Sequence, residues 1–151
     1  MFDVQAFTDQ AINEANSTSV VPVPVGDYTA IADKFEIRQW VNKEDPTKSG
    51  LALDVHWAID DQAVKDLLGR DKVTVKQGIM LDLTEEGGLD MGKGKNGGLG
   101  KLRAALGLNN PGQSFSFNQI PGQIAKIKIG HTPNPKDAES PFVNVVMVAK
   151  A

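Results

Sequence analysis

Two stretches of strict period two, separated by a short polar break, constrain this chain more than any other feature. Over residues 27–41, Ile31, Phe35, Ile37 and Val41 share one parity, and Tyr28, Lys34, Glu36, Arg38 and Trp40 share the other. Over residues 51–59 the alternation is cleaner, with Leu51, Leu53, Val55, Trp57 and Ile59 set against Ala52, Asp54, His56 and Ala58. Period two sends successive side chains to opposite faces of a pleated strand, so each stretch predicts a strand with one buried face. The break at residues 42–50 contains Pro46 and Gly50 and reads as a hairpin loop. On this reading Trp57 belongs to the core. Trp40 lies on the charged face, unless a bend in the first strand switches its parity and buries it.

The rest of the chain fits around that hairpin. A third strand is expected over residues 72–83, with Val73, Val75, Ile79, Leu81 and Leu83 inward and Lys72, Thr74, Lys76 and Asp82 outward. A fourth is expected over 124–129, with Ala125, Ile127 and Ile129 opposite Lys126 and Lys128, and a last one over 142–149. Between the second and third strands, Asp60 or Asp61 caps a short helix with Val64, Leu67 and Leu68 as its stripe and Gly69 as its stop. A second helix is predicted over 99–108, with Leu102, Ala105 and Leu106 inward and Lys101 and Arg103 in water. Residues 3–16 read as a short helix, with Phe7, Ala11 and Ile12 near one face. The Val-Pro-Val-Pro-Val run at 21–25 must be extended. Residues 131–141 read as a proline-rich loop. The order strand, strand, strand, helix, strand, strand is that of the OB-fold, a five-stranded partly open barrel. The expected fold is therefore mainly β with short helices, an OB-fold-like five-stranded barrel with one helix between strands 3 and 4. Residues 1–24 would form an N-terminal arm and 25–151 a single domain.

Composition narrows the chemistry. The chain has 151 residues, no cysteine and only two histidines, His56 and His131. Thiolate zinc, iron–sulfur and cysteine nucleophiles are excluded, and a histidine-rich metal site is not expected. No nucleophile elbow and no H-E-x-x-H occurs. Asp60-Asp61 and Glu44-Asp45 are explained by a helix cap and a solvated turn. No apolar run approaches the roughly 20 residues that span a bilayer. The first residues carry acids and no base, unlike a signal or transit peptide. These features predict a soluble intracellular protein without catalysis or cofactor.

Charge is the functional signal. The net charge of −3 hides a division, because residues 91–136 contain no Asp or Glu and hold Lys93, Lys95, Lys101, Arg103, Lys126, Lys128 and Lys136. That stretch is +7 and the remainder −10, an asymmetry that points to a polyanion. Two nucleotide motifs overlap the start of it, within a run of seven glycines over residues 85–100. Gly92 to Gly97 spells G-x-G-x-x-G, but the next acid is Asp137, so the ribose-binding carboxylate is missing. Gly87 to Lys93 spells G-x-x-x-x-G-K, but Gly94 stands where Ser or Thr must hold magnesium. What remains is a glycine-rich backbone, clustered bases and a helix N-terminus near Leu99. That set suits a sugar-phosphate chain, and a merely basic surface loop would read the same. Trp40, flanked by Lys34 and Arg38, is placed as a base-stacking platform would be. Phe115 and Phe117 either stack bases or anchor an edge to the core.

These residues resemble a family. Val25-Gly26-Asp27-Tyr28 opens a long strand, Lys48-Ser49-Gly50 leads into the second, and Leu99-Gly100-Lys101-Leu102-Arg103-Ala104-Ala105-Leu106-Gly107-Leu108 forms a helix phrase ahead of a lysine-bearing strand. Over residues 25–149 the chain resembles bacteriophage single-stranded DNA-binding proteins of OB-fold type. The resemblance implies sequence-tolerant ssDNA binding in phage replication or recombination, in the cytoplasm of the infected host. Trp40, Lys93, Lys95, Lys101, Arg103, Lys126 and Lys128 would line the path. Lys34, Arg38, Lys76, Phe115 and Phe117 complete the candidate set. Partners would be ssDNA and phage replication or recombination proteins, with a homo-oligomer open and no membrane. The final residues, Val148 to Ala151, lack the acidic run with which many such proteins recruit partners. The alternative from another class is a phage structural or assembly β-barrel protein with residues 2–12 as an assembly arm.

Overall fold

A computed structural model describes the chain from Met1 to Ala151. The polar break makes the expected hairpin, joining β1 (Gly26–Val41) to β2 (Ser49–Ile59). With β3 (Thr74–Met80), β4 (Ile124–Thr132) and β5 (Phe142–Lys150) they form one antiparallel sheet in the order β3-β2-β1-β4-β5. Three short helices accompany it: α1 (Val4–Asp9), α2 (Gln62–Leu68) and α3 (Gly97–Ala105). The sheet is open. β3 and β5 approach within 8 Å between Cα atoms, and α3 packs on both, but no ladder joins their edges. The five strands expected from the element order are present, but the sheet does not close into a barrel.

β1 is long enough to serve two partners. Its first half pairs with β4, from Gly26↔Ile129 to Ile31↔Ile124, and its second half pairs with β2, up to Val41↔Ser49. A bulge interrupts the ladder with β2. Ala32 pairs with Trp57 and Lys34 with His56, so Asp33 is skipped. One extra residue reverses the side-chain phase. Ahead of the bulge Ala30 and Ala32 are buried and Tyr28 packs on the core, whereas Ile31, expected inward, is 39% exposed. Beyond the bulge Phe35 packs on the core as predicted, but Ile37 and Val41, also expected inward, are exposed, and Trp40 stays on the face of Lys34, Glu36 and Arg38.

The core is built from β2 and β4 as their alternation predicts. Leu53, Val55, Trp57 and Ile59 meet Ala125, Ile127 and Ile129, joined by Leu99 and Leu102 of α3, Val64 of α2, and Val23 and Ile120. The Trp57 indole N–H donates to Gln77 Oε1 at 2.9 Å, so the ring is buried with its polar atom satisfied. Truncating it to alanine would cost about 3–5 kcal/mol.

The helices depart from expectation in their limits. α2 is capped as predicted: Asp61 accepts from the Val64 N–H, and Gly69 closes the helix at φ 65°. Leu67 is exposed, however, because seven residues expose too narrow a stripe to bury both Val64 and Leu67. α3 begins at Gly97 rather than Leu99 and ends at Ala105 rather than Leu108. Glycines expected to prevent regular structure thus open a helix. Asn96 fixes its start, donating to the carbonyls of Asp82 and Asp90 at 2.9 Å and accepting from the Asp82 N–H at 2.8 Å. Gly98 is needed by proximity, since a Cβ there would lie 3.2 Å from Ile79 Cγ2 of β3. α1 is six residues long, shorter than predicted, because nothing packs on it to extend it. β4 runs on through His131 and Thr132, which were read as loop.

Candidate nucleic-acid interface

Strand register sets the first group of candidate residues. Lys34 pairs with His56 and His56 with Lys76, forming one row across β1, β2 and β3 on the face turned from the core. Glu36, Asp54 and Gly78 form the next row, then Arg38, Ala52 and Met80, and then Trp40 and Gly50. On the other flank, Lys126 and Lys128 of β4 pair with Thr29 and Asp27 of β1 and oppose the buried Ala125 and Ile127. One outer sheet face therefore carries Lys34, Arg38, Trp40, Lys76, Lys126 and Lys128.

Within this face the charges differ in status. Arg38 Nε donates to Asp54 Oδ2 at 2.8 Å, from a side chain 47% exposed to one 3% exposed. Asp54 is the one buried charged residue. Its hydrogen bond from Arg38 holds the Asp54 carboxyl below the usual aspartate range, and the same bond raises the Arg38 guanidinium. Lys34 and His56 each approach Glu36 at 3.9 Å. Trp40 lies over Gly50, where a Cβ would meet its ring at 2.9 Å, so only glycine fits beneath it. One ring face thus serves the fold, and the indole N–H has no acceptor.

The acid-free stretch behaves differently, because none of its seven bases forms an ion pair. Lys93 and Lys95 are exposed on the loop before α3. Lys101 faces a cleft between β3, α3 and β5 that also holds Lys150, a base absent from the sequence reading. Arg103 is occupied locally: its Nε donates to the Leu108 carbonyl at 3.1 Å, and its guanidinium lies 4.3 Å from the centre of the Phe115 ring. Phe115 meets Phe117 edge-on at 5.5 Å, and Phe117 meets Phe35 at 6.3 Å. Both phenylalanines are half-buried against the core and anchor the segment between α3 and β4. Phe35 belongs to this cluster, and its inward parity was the signal for it. The candidate residues thus divide among the outer sheet face, the glycine loop, the cleft and an aromatic cluster.

Several backbone N–H groups of the glycine loop are engaged within the chain. The Gly92 N–H donates to Asp90 Oδ1 at 2.9 Å, the Lys95 N–H to the Gly92 carbonyl at 3.1 Å, and the Asp90 N–H to the Asp82 carbonyl at 2.9 Å. A mononucleotide cradle needs such groups free. The all-antiparallel sheet also lacks the parallel strands of a dinucleotide fold. His131 Nε2 sits 2.6 Å from the Val23 carbonyl, which ties the arm to β4. No three His, Asp or Glu side chains gather where a metal could sit, and no helix is long and apolar enough to cross a membrane. No protein-family model matches the chain, and no curated protein matches it in sequence.

Proposed function

We propose that this protein binds single-stranded DNA without sequence preference, through phosphate neutralisation and base stacking. The observation that carries the reading is the set of unpaired bases of residues 91–136, two of which, Lys126 and Lys128, share the outer sheet face with Trp40. The strand order, with β3 and β5 facing across a seam, supports an OB-like barrel open at that seam. Lysines on exposed strand and loop positions follow a flexible backbone and release its counterions. Trp40 offers a base the ring face that Gly50 does not use. The resemblance to phage ssDNA-binding proteins extends the proposal to phage replication or recombination within an infected bacterium. The proposed role has no catalytic step.

A salt titration with a labelled oligonucleotide tests it. Contact with about four to six phosphates gives a slope of log affinity on log salt of about −3 to −4. A flat response, or equal affinity for duplex and single strand, overturns the reading. The exposed apolar side chains of residues 2–12 favour a second reading, a structural or assembly subunit, which predicts self-association without any effect of DNA.

A further inference from the structure

Two apolar surfaces of this molecule lack a partner. The first is the N-terminal arm. Phe2, Val4, Phe7 and Ile12 are between 71% and 94% exposed, and α1 buries no residue. Val4 and Phe7 are one turn apart and form a single stripe. The arm is also acidic, with Asp3, Asp9 and Glu14, and the chain has no base before Lys34.

The second is the cleft of about 830 Å³ at the ends of β3 and β5, with α3 along it. Ile79, Met80, Leu102 and Met147 supply apolar lining, Lys101 and Lys150 are its charged residues, and no carboxylate lines it. Met80 and Met147 are more than half exposed, and methionine adapts readily to an incoming aromatic ring. The facing edges of β3 and β5 are unpaired.

The start of the same seam is already filled by the chain itself. Val23 is buried in the core, and residues 20–23 lie beside Val73, Val75 and Val143 at the beginnings of β3 and β5. The Ser19 hydroxyl donates to Asp137 at 3.1 Å, and the Val20 N–H donates to Ser140 Oγ at 2.9 Å. From that anchor the arm stands off its own chain. An extended apolar segment therefore closes one end of the seam, and the other end is open and basic.

We infer that the acidic, aromatic arm of one copy seats in the basic, methionine-lined cleft of a second copy, and the reverse, closing a two-fold dimer. Each chain has one arm and one cleft, so reciprocal exchange satisfies both and leaves none open. Phenylalanine buries about 150–250 Å², so two on each of two arms remove roughly 600–1,000 Å² before the aliphatic residues are counted. That approaches the roughly 1,000 Å² a specific interface needs. The inference does not depend on DNA binding.

Light scattering of the full chain, without DNA, is expected to give twice 16.2 kDa. Phe2→Ser with Phe7→Ser is expected to weaken the dimer by about 100-fold or more, with the circular-dichroism spectrum of the chain unchanged, because these side chains bury nothing in their own chain. Met80→Glu with Met147→Glu, which sets carboxylates against the acidic arm, is expected to do the same. The absence of native cysteine allows a direct test. Mixing a Phe7→Cys chain with a Met147→Cys chain under a mild oxidant is expected to yield a disulfide-linked pair. A monomeric full chain, larger open assemblies, a dimer that survives both double variants, or a Phe7→Cys/Met147→Cys chain that closes on itself as a monomer would each overturn the inference.

Discussion

On β1 and β2, Lys34 stands 3.9 Å from Glu36 and Arg38 stands 2.8 Å from Asp54. Across residues 91–136, seven bases have no carboxylate within ion-pair distance. The first region places its cations among acids, and Arg38 is positioned by a buried carboxylate that must be matched. The second keeps its six lysines in water, where a polyanion can replace their counterions. Two groups of bases that look alike in composition are therefore unequal as ligands for phosphate. The free group should dominate affinity, and the paired group should matter chiefly to the fold.

The largest effect tests the free group. Lys93, Lys95, Lys126 and Lys128 together to Glu should lower ssDNA affinity on the order of 10³-fold at about 50 mM salt and flatten the salt slope by about 3. All four are exposed, so the protein should stay folded, with a small fall in the melting transition because Lys128→Glu sets a carboxylate opposite Asp27. A loss under tenfold would mean that the unpaired bases are not the binding path. Next is Trp40→Ala, expected to cost about 5–150-fold in affinity for every sequence alike, the equivalent of about 1–3 kcal/mol of stacking. A lowered melting temperature with unchanged affinity would assign Trp40 to covering Gly50 alone.

The smallest effect on binding belongs to the paired group. Arg38→Gln should change affinity by no more than about threefold, because Asp54 already answers its charge. Its mark is on stability. Asp54 has a lowered pKa in the folded protein, so the pair's contribution is fully present above the ordinary aspartate value of about 3.9. It fades as pH falls through the lowered one. Thermal melts of wild type and variant should differ at neutral pH and converge in acid. A gap that persists in acid would show that the Arg38 side chain stabilises by packing rather than by charge.

Legibility along the chain followed the range of the interaction involved. β2 and β4 were readable because each alternates without interruption and places its large apolar residues on one buried parity. The α2 caps were readable because Asp61 and Gly69 act within one turn. β1 was readable as a strand but not in phase, since nothing local marks Asp33 as a bulge; its position follows from pairing with two different strands. The glycine run misled in one respect: its glycines concealed a helix start set by Asn96 reaching back to Asp82. Of the candidate site, the exposure of Lys126 and Lys128 followed from strand parity. The engagement of Arg103 with Phe115 did not, because it needs the segment after α3 to fold back.

The sequence alone determined which stretches are strands, which residues of β2 and β4 form the core, and that positive charge is concentrated in one acid-free stretch. Each depends on neighbours a few positions apart. The tertiary structure decided the phase of β1, the open seam between β3 and β5, and which bases are neutralised. Arg38 and Asp54 are 16 residues apart, and Phe35 and Phe117 lie on separate elements. Whether such groups meet depends on strand register, which no local pattern encodes.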